Sequence, residues 1–215
     1  MNQGSVIKRQ RGGAQLSGFL IVATSMVAMY VVPGEFFVPT VLVSTSCMIL
    51  ITYHLTSYSR LFKPRWQSIG LGLVTSALLY GIFLLGNYGI KAVHPFGISA
   101  SSETSIYSLI ASHALPLQVA ILAFDALGFE SYFRGVLQNY FLTRSNGNLA
   151  VGACFTSALV DALIHLVSLN PLWAITTFIA DSVWGLTYYY TRDLSSSAAS
   201  HFVWDIAIFI FFPIK

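Results

Sequence analysis

Apolar residues in this chain fall into runs too long for the helices of a soluble domain. The runs cover roughly 15–33, 37–54, 68–90, 115–141, 149–168, 171–191 and 195–213. Each is close to the ~20 residues that carry a helix across a bilayer. The pattern predicts an all-α, polytopic membrane bundle of about seven transmembrane helices, forming a single membrane domain over residues 1–215. Residues 91–114, KAVHPFGISASSETSIYSLIASHA, are the one long connection, and their second half suits a short interfacial or re-entrant helix. No internal repeat or low-complexity segment stands out. The first run follows Lys8, Arg9 and Arg11 like the charged start of a signal peptide. It has no small-x-small cleavage site and ends in VVPGEFF, so it reads as a retained span.

Basic residues give the expected orientation. With the N-terminus in the cytoplasm, Lys8, Arg9, Arg11, Arg60, Lys63, Arg65, Arg144 and Arg192 fall on the cytoplasmic side and only Lys91 and Lys215 outside. Eight against two is a clear positive-inside bias. The expected location is the cell membrane, or the endoplasmic reticulum membrane in a eukaryote. Composition agrees, with 55% hydrophobic and 9% charged residues where soluble domains carry about a quarter charged. Aromatic residues, at 14%, suit interfacial belts. A net charge of +3, spread along the chain, argues against a nucleic-acid partner. Cys47 and Cys154 lie within apolar runs and read as small core residues rather than a disulfide or metal site.

The polar residues inside the runs carry the chemistry. Besides Arg134, the spans hold Asp125, Glu130, Asp161, His165, Asp181, His201 and Asp205. A charge at the bilayer centre costs at least a few kcal/mol, so such residues face the bundle interior, pair, or mark a functional path. Glu130–Arg134, Asp161–His165 and His201–Asp205 are each spaced by four, one helical turn, so each pair shares a helix face. Three spans meeting along these faces would enclose a wet chamber with two histidines and several carboxylates. Each pair has an ordinary structural explanation too: an interhelical staple, a satisfied core histidine, a cap. Asp181 has no partner at helical spacing and reads as a structural hydrogen-bonding residue. The coincidence of three pairs favours a functional site.

Three stretches, ESYFRG, DALIH and GLTYYYTRDLSSSAASHFVWD, resemble the CPBP family: type II CAAX prenyl endopeptidases, bacteriocin-processing and immunity proteins, and related intramembrane glutamic proteases. The family carries Glu-Glu-x-x-x-Arg, Phe-x-x-x-His and His-x-x-x-Asn/Asp on separate helices. Here Glu130 and Arg134, then His165, then His201 and Asp205 match in that order, within about residues 115–210. The resemblance implies hydrolysis of a peptide bond near the cytoplasmic end of the spans. The substrate would be a hydrophobic or lipidated peptide, or a membrane-protein terminus. A carboxylate and His165 would polarise the water, and His201 with Asp205 would bind the oxyanion. It also implies a metal-free site without a cofactor, and no HExxH helix is present.

Two positions depart from the pattern. Phe129 stands where the family has its first glutamate, the general base, and Asp161 stands where it has the aromatic. Glu130 points about 100° away from Phe129, whereas Asp125 shares the face of Phe129 one turn earlier. Three outcomes stay open: Glu130 acts as base, Asp125 or Asp161 supplies the displaced carboxylate, or the chemistry is lost. The endopeptidase reading therefore stands beside an inactive relative acting as an immunity, scaffold or peptide-binding protein. A proton-linked transporter ranks third, because no inverted repeat is visible.

Overall fold

The computed structural model describes residues 12–32, 34–92, 107–145 and 150–213. Seven long helices account for most of them. They are α1 (Gly12–Val31), α2 (Phe37–Leu55), α3 (Trp66–Ala92), α4, α5 (Gly152–His165), α6 (Pro171–Thr191) and α7. Helix α4 runs through Leu115–Tyr132, a π-helical stretch Phe133–Gln138, and Asn139–Arg144. Helix α7 is Leu194–Ile206 with a π-helical end, Ala207–Phe211. These match the seven apolar runs. Residues 107–111 form one further helical turn in the second half of the long connection; residues 93–106 lie outside the described residues.

Four segments, Ala14–Val31, Gly34–Leu55, Trp66–Gly89 and Leu194–Phe211, are long and apolar enough to cross a membrane. The exterior is apolar: Leu20, Val43, Leu50, Val74, Leu78, Leu85, Leu159 and Leu163 are exposed. The interior is rich in small and polar side chains, among them Ser44, Thr45, Thr52, Ser157, Ser196, Ser197 and Ser200. That inversion suits a bundle in lipid, where close helix approach and internal hydrogen bonds replace the hydrophobic effect between helices.

Helix ends follow local chemistry. Pro171 occupies the first turn of α6, and the Asn170 side chain accepts from the backbone N–H groups of Leu172 (3.0 Å) and Trp173 (3.4 Å). Arg192, in the left-handed region at φ 53°, ends α6. Asp193 then caps α7 by accepting from Ser195 N–H and also takes the Lys63 N–H, each at 3.0 Å, which ties the α2–α3 loop to the α6–α7 turn.

The largest helix contacts are α5 with α6, α3 with α7, and α2 with α4, while α4 also packs on α7 and, through its π stretch, on α5. Helix α4, which also reaches α6 through its π stretch, therefore sits among four neighbours. Two glycines allow its approach: a Cβ at Gly128 would overlap Thr45 of α2, and one at Gly135 would press on Leu61 at 2.9 Å. The π stretch widens the turn just after Glu130, where Asn139 donates to Gly135 O (3.1 Å) and to the Tyr188 hydroxyl of α6 (2.7 Å). Both cysteines are free; Cys154 is buried and its sulfur lies 3.2 Å from Gln138 Nε2.

Candidate active site

All three one-turn pairs close. Arg134 Nε donates to Glu130 Oε2 at 3.2 Å, His165 Nδ1 lies 3.3 Å from Asp161 Oδ1, and His201 Nε2 lies 3.5 Å from Asp205 Oδ2. The pairs are then linked across helices. Glu130 Oε1 lies 3.1 Å from His201 Nδ1, joining α4 to α7. Arg134 Nη2 lies 2.7 Å from Asp181 Oδ1, joining α4 to α6. Arg134 is fully buried, so its partners come from within the protein: Nε and Nη2 face carboxylates, while Nη1 has no hydrogen-bond partner among the described residues. Asp181, expected to hydrogen-bond structurally, turns out to hold the second side of this guanidinium.

A cavity of about 640 Å³ runs beside this network and is lined by Asp125, Phe129, Asp161, His165, Asp181, Trp184, His201, Trp204 and Asp205. Both histidines therefore face one chamber. Glu130 and Arg134 do not line it; with both carboxylate oxygens engaged, Glu130 is placed to hold His201 rather than to meet a ligand. Phe129, stacked on Phe133 (centroids 5.7 Å), presents its ring to the cavity and to His201 (6.2 Å).

Of the other carboxylates raised by the sequence, Asp161 meets His165, whereas Asp125 accepts from Thr45 Oγ1 of α2 at 3.2 Å and makes no ion pair among the described residues. The His165 Nδ1–H donates to the Asp161 carbonyl at 3.0 Å. That bond selects the tautomer whose Nε2 carries the lone pair, and Nε2 has no partner among the described residues. His201 has a carboxylate beside each ring nitrogen and lies flat on Trp184, centroids 3.7 Å apart. These contacts hold the ring rigidly, with an acceptor beside each nitrogen.

Sequence reasoning missed several contributors. Tyr30 of α1 packs edge-on against His165 (5.7 Å) and accepts from Trp173 Nε1 (2.9 Å). Trp184, Thr45 and the Arg134-bridging role of Asp181 were also absent from it. Asp181 and Trp184, three apart, share a face of α6, but nothing in the sequence says which helix that face meets.

The cavity occupies one end of the bundle. Its wall includes Tyr30, Gly86, Leu172 and Phe209, near the ends of α1, α3 and α7 and the start of α6, and Gly34, Leu109 and Leu169 from the connections at the same end of the bundle. The loops with Arg60, Lys63, Arg65, Arg144 and Arg192 lie at the other end, because successive helices alternate in direction.

Among the described residues no group of three or more His, Cys, Asp or Glu has the arrangement to hold a metal ion. Comparison with curated proteins and with solved structures returned no match. The family model described as Type II CAAX prenyl endopeptidase Rce1-like matches residues 111–207, the stretch that supplies every motif residue of the site. Residues 111–207 of this membrane bundle are thus similar to the Rce1-like type II CAAX prenyl endopeptidases, with Phe129 where that resemblance leads one to expect the first motif glutamate.

Proposed function

We propose that this protein is an intramembrane endopeptidase in which the Asp161–His165 pair does the work of the missing glutamate. The observation that carries the reading is the 3.3 Å approach of Asp161 to His165 on the wall of a cavity that also receives His201. His165 Nε2 takes a proton from water as the oxygen attacks the carbonyl carbon of a peptide bond in the cavity. The imidazolium that forms is stabilised by the Asp161 carboxylate beside Nδ1. The tetrahedral oxyanion is stabilised by the positive charge of His201, which Glu130 and Asp205 position. His165 then returns its proton to the leaving amine. Arg134 holds Glu130, and through it His201, so it is a positioning residue. No step needs a metal or cofactor. The apolar, aromatic wall suits a hydrophobic or lipidated peptide, or a membrane-protein terminus, reaching the site within the bilayer.

The basic loops orient the bundle with its N-terminus in the cytoplasm of a cell, or on the cytoplasmic side of the endoplasmic reticulum. The cavity end then faces away from the cytoplasm, opposite to the side the family resemblance implied.

A second reading rests on Phe129 itself. A ring on the cavity wall where the family places its base also suits an inactive relative that binds a peptide as an immunity or scaffold protein.

The test is cleavage of hydrophobic peptides by the purified protein in nanodiscs, read by mass spectrometry. His165→Ala and His201→Ala should each lower the rate by at least about a hundredfold, the usual worth of a general base and of an oxyanion-stabilising group. Asp161→Asn should lower kcat with little change in KM. Cleavage that survives both histidine changes would sink the assignment.

A further inference from the structure

Charge around the cavity is unbalanced. Five carboxyl groups cluster there: Asp125, Glu130, Asp161, Asp181 and Asp205. Against them stand Arg134, already shared between Glu130 and Asp181, and the two histidines. Even with both imidazoles protonated, five acids face three cations. In a low-dielectric bundle such an excess is costly, and a cationic ligand in the cavity relieves it.

The shortfall is localised. Glu130, Asp161, Asp181 and Asp205 each have a cationic or imidazole partner within 3.5 Å. Among the described residues Asp125 has only the Thr45 hydroxyl, and it is half-buried on the cavity wall. It lies on the face of Phe129, one turn nearer the end of the bundle where the cavity lies. No Lys or Arg lines the cavity among the described residues. A terminal carboxylate would therefore meet four aspartates and no fixed cation apart from the histidines, and Arg134 is sealed behind Glu130. The indole N–H groups of Trp184 and Trp204, buried on the same wall without an acceptor among the described residues, suit the carbonyl groups of a peptide backbone.

From this arrangement we infer that Asp125 is a specificity subsite for a positively charged group on an otherwise apolar peptide, and that the site disfavours a substrate ending in a free carboxylate beside the scissile bond. The inference rests on the peptidase reading for its substrate class, but its charge preference is measurable in binding alone. The cation is a protonated amine, from either a free N-terminus or a Lys or Arg side chain.

Four versions of one apolar peptide separate the sources: fully blocked, blocked with one Lys, free at the N-terminus, and free at the C-terminus. Binding is followed by quenching of the cavity tryptophans, and cleavage by mass spectrometry. At least one amine-bearing peptide should bind about tenfold tighter than the blocked one, and the C-terminal carboxylate should bind about tenfold more weakly. Which amine wins identifies the source. Asp125→Asn should erase the amine advantage through KM, whereas loss of a water-activating base would lower kcat for every peptide alike. Charge-selective binding without cleavage upholds the subsite and overturns the hydrolase. Equal binding of all four, a preference for the carboxylate, or no binding at all overturns the subsite.

Discussion

Arg134 is the strongest point at which to test the site's architecture, because its role is structural whatever the chemistry. The perturbation is Arg134→Met, which keeps an unbranched, flexible side chain and removes the charge. The guanidinium lies 2.7 Å from Asp181 and 3.2 Å from Glu130 and is fully buried. At an effective dielectric of about 20, Coulomb's law gives about 6 kcal/mol for the first pair and about 5 kcal/mol for the second. Burying the guanidinium itself costs several kcal/mol, which offsets much of this. Removing it strands two carboxylates in a protein interior, and breaking a buried pair in that way costs about 3–5 kcal/mol. The second variant, Arg134→Met with Asp181→Asn, neutralises one stranded acid and should recover about 1–3 kcal/mol of the loss. The assay is reversible unfolding in mixed micelles, followed by tryptophan fluorescence. A loss below about 1 kcal/mol for Arg134→Met, or strict additivity in the double variant, would refute the shared buried ion pair. It would also remove the reason for treating Glu130 as the support of His201.

The remaining predictions address packing and the departure at position 129. Gly72→Ala should destabilise the bundle by about 1–3 kcal/mol, because its Cβ would meet the backbone carbonyl of Ser196 where α3 packs on α7; a shift in melting temperature measures it, and wild-type stability would show that this seam gives way easily. Phe129→Glu should raise peptide cleavage by about tenfold or more, since it returns a carboxylate to the cavity wall beside His201. No gain would show that position 129 is not where water activation is limited. Activity appearing only in that variant would favour the inactive-relative reading.

The sequence by itself determined the membrane class, the seven helical runs and the three one-turn pairs, because these depend on local quantities. Run length against bilayer thickness fixes the spans, and a spacing of four fixes which side chains share a face. The Rce1-like match over residues 111–207 was likewise legible, since Glu130, Arg134, His165, His201 and Asp205 stand in motif order. Tertiary structure alone decided which faces meet. Hydropathy does not say that Asp181 of α6 reaches Arg134 of α4, that His201 lies flat on Trp184, or that Tyr30 of α1 closes over His165. Those contacts depend on helix rotation and neighbour choice, which small residues such as Gly128 and Gly135 set by how closely they let backbones approach. The choice among Asp125, Asp161 and Glu130 was open for the same reason. All three lie on or next to the faces that carry the motifs, and only the packing brings the Asp161–His165 pair to the cavity wall, puts Glu130 behind His201, and leaves Asp125 facing the cavity without an ion-pair partner among the described residues.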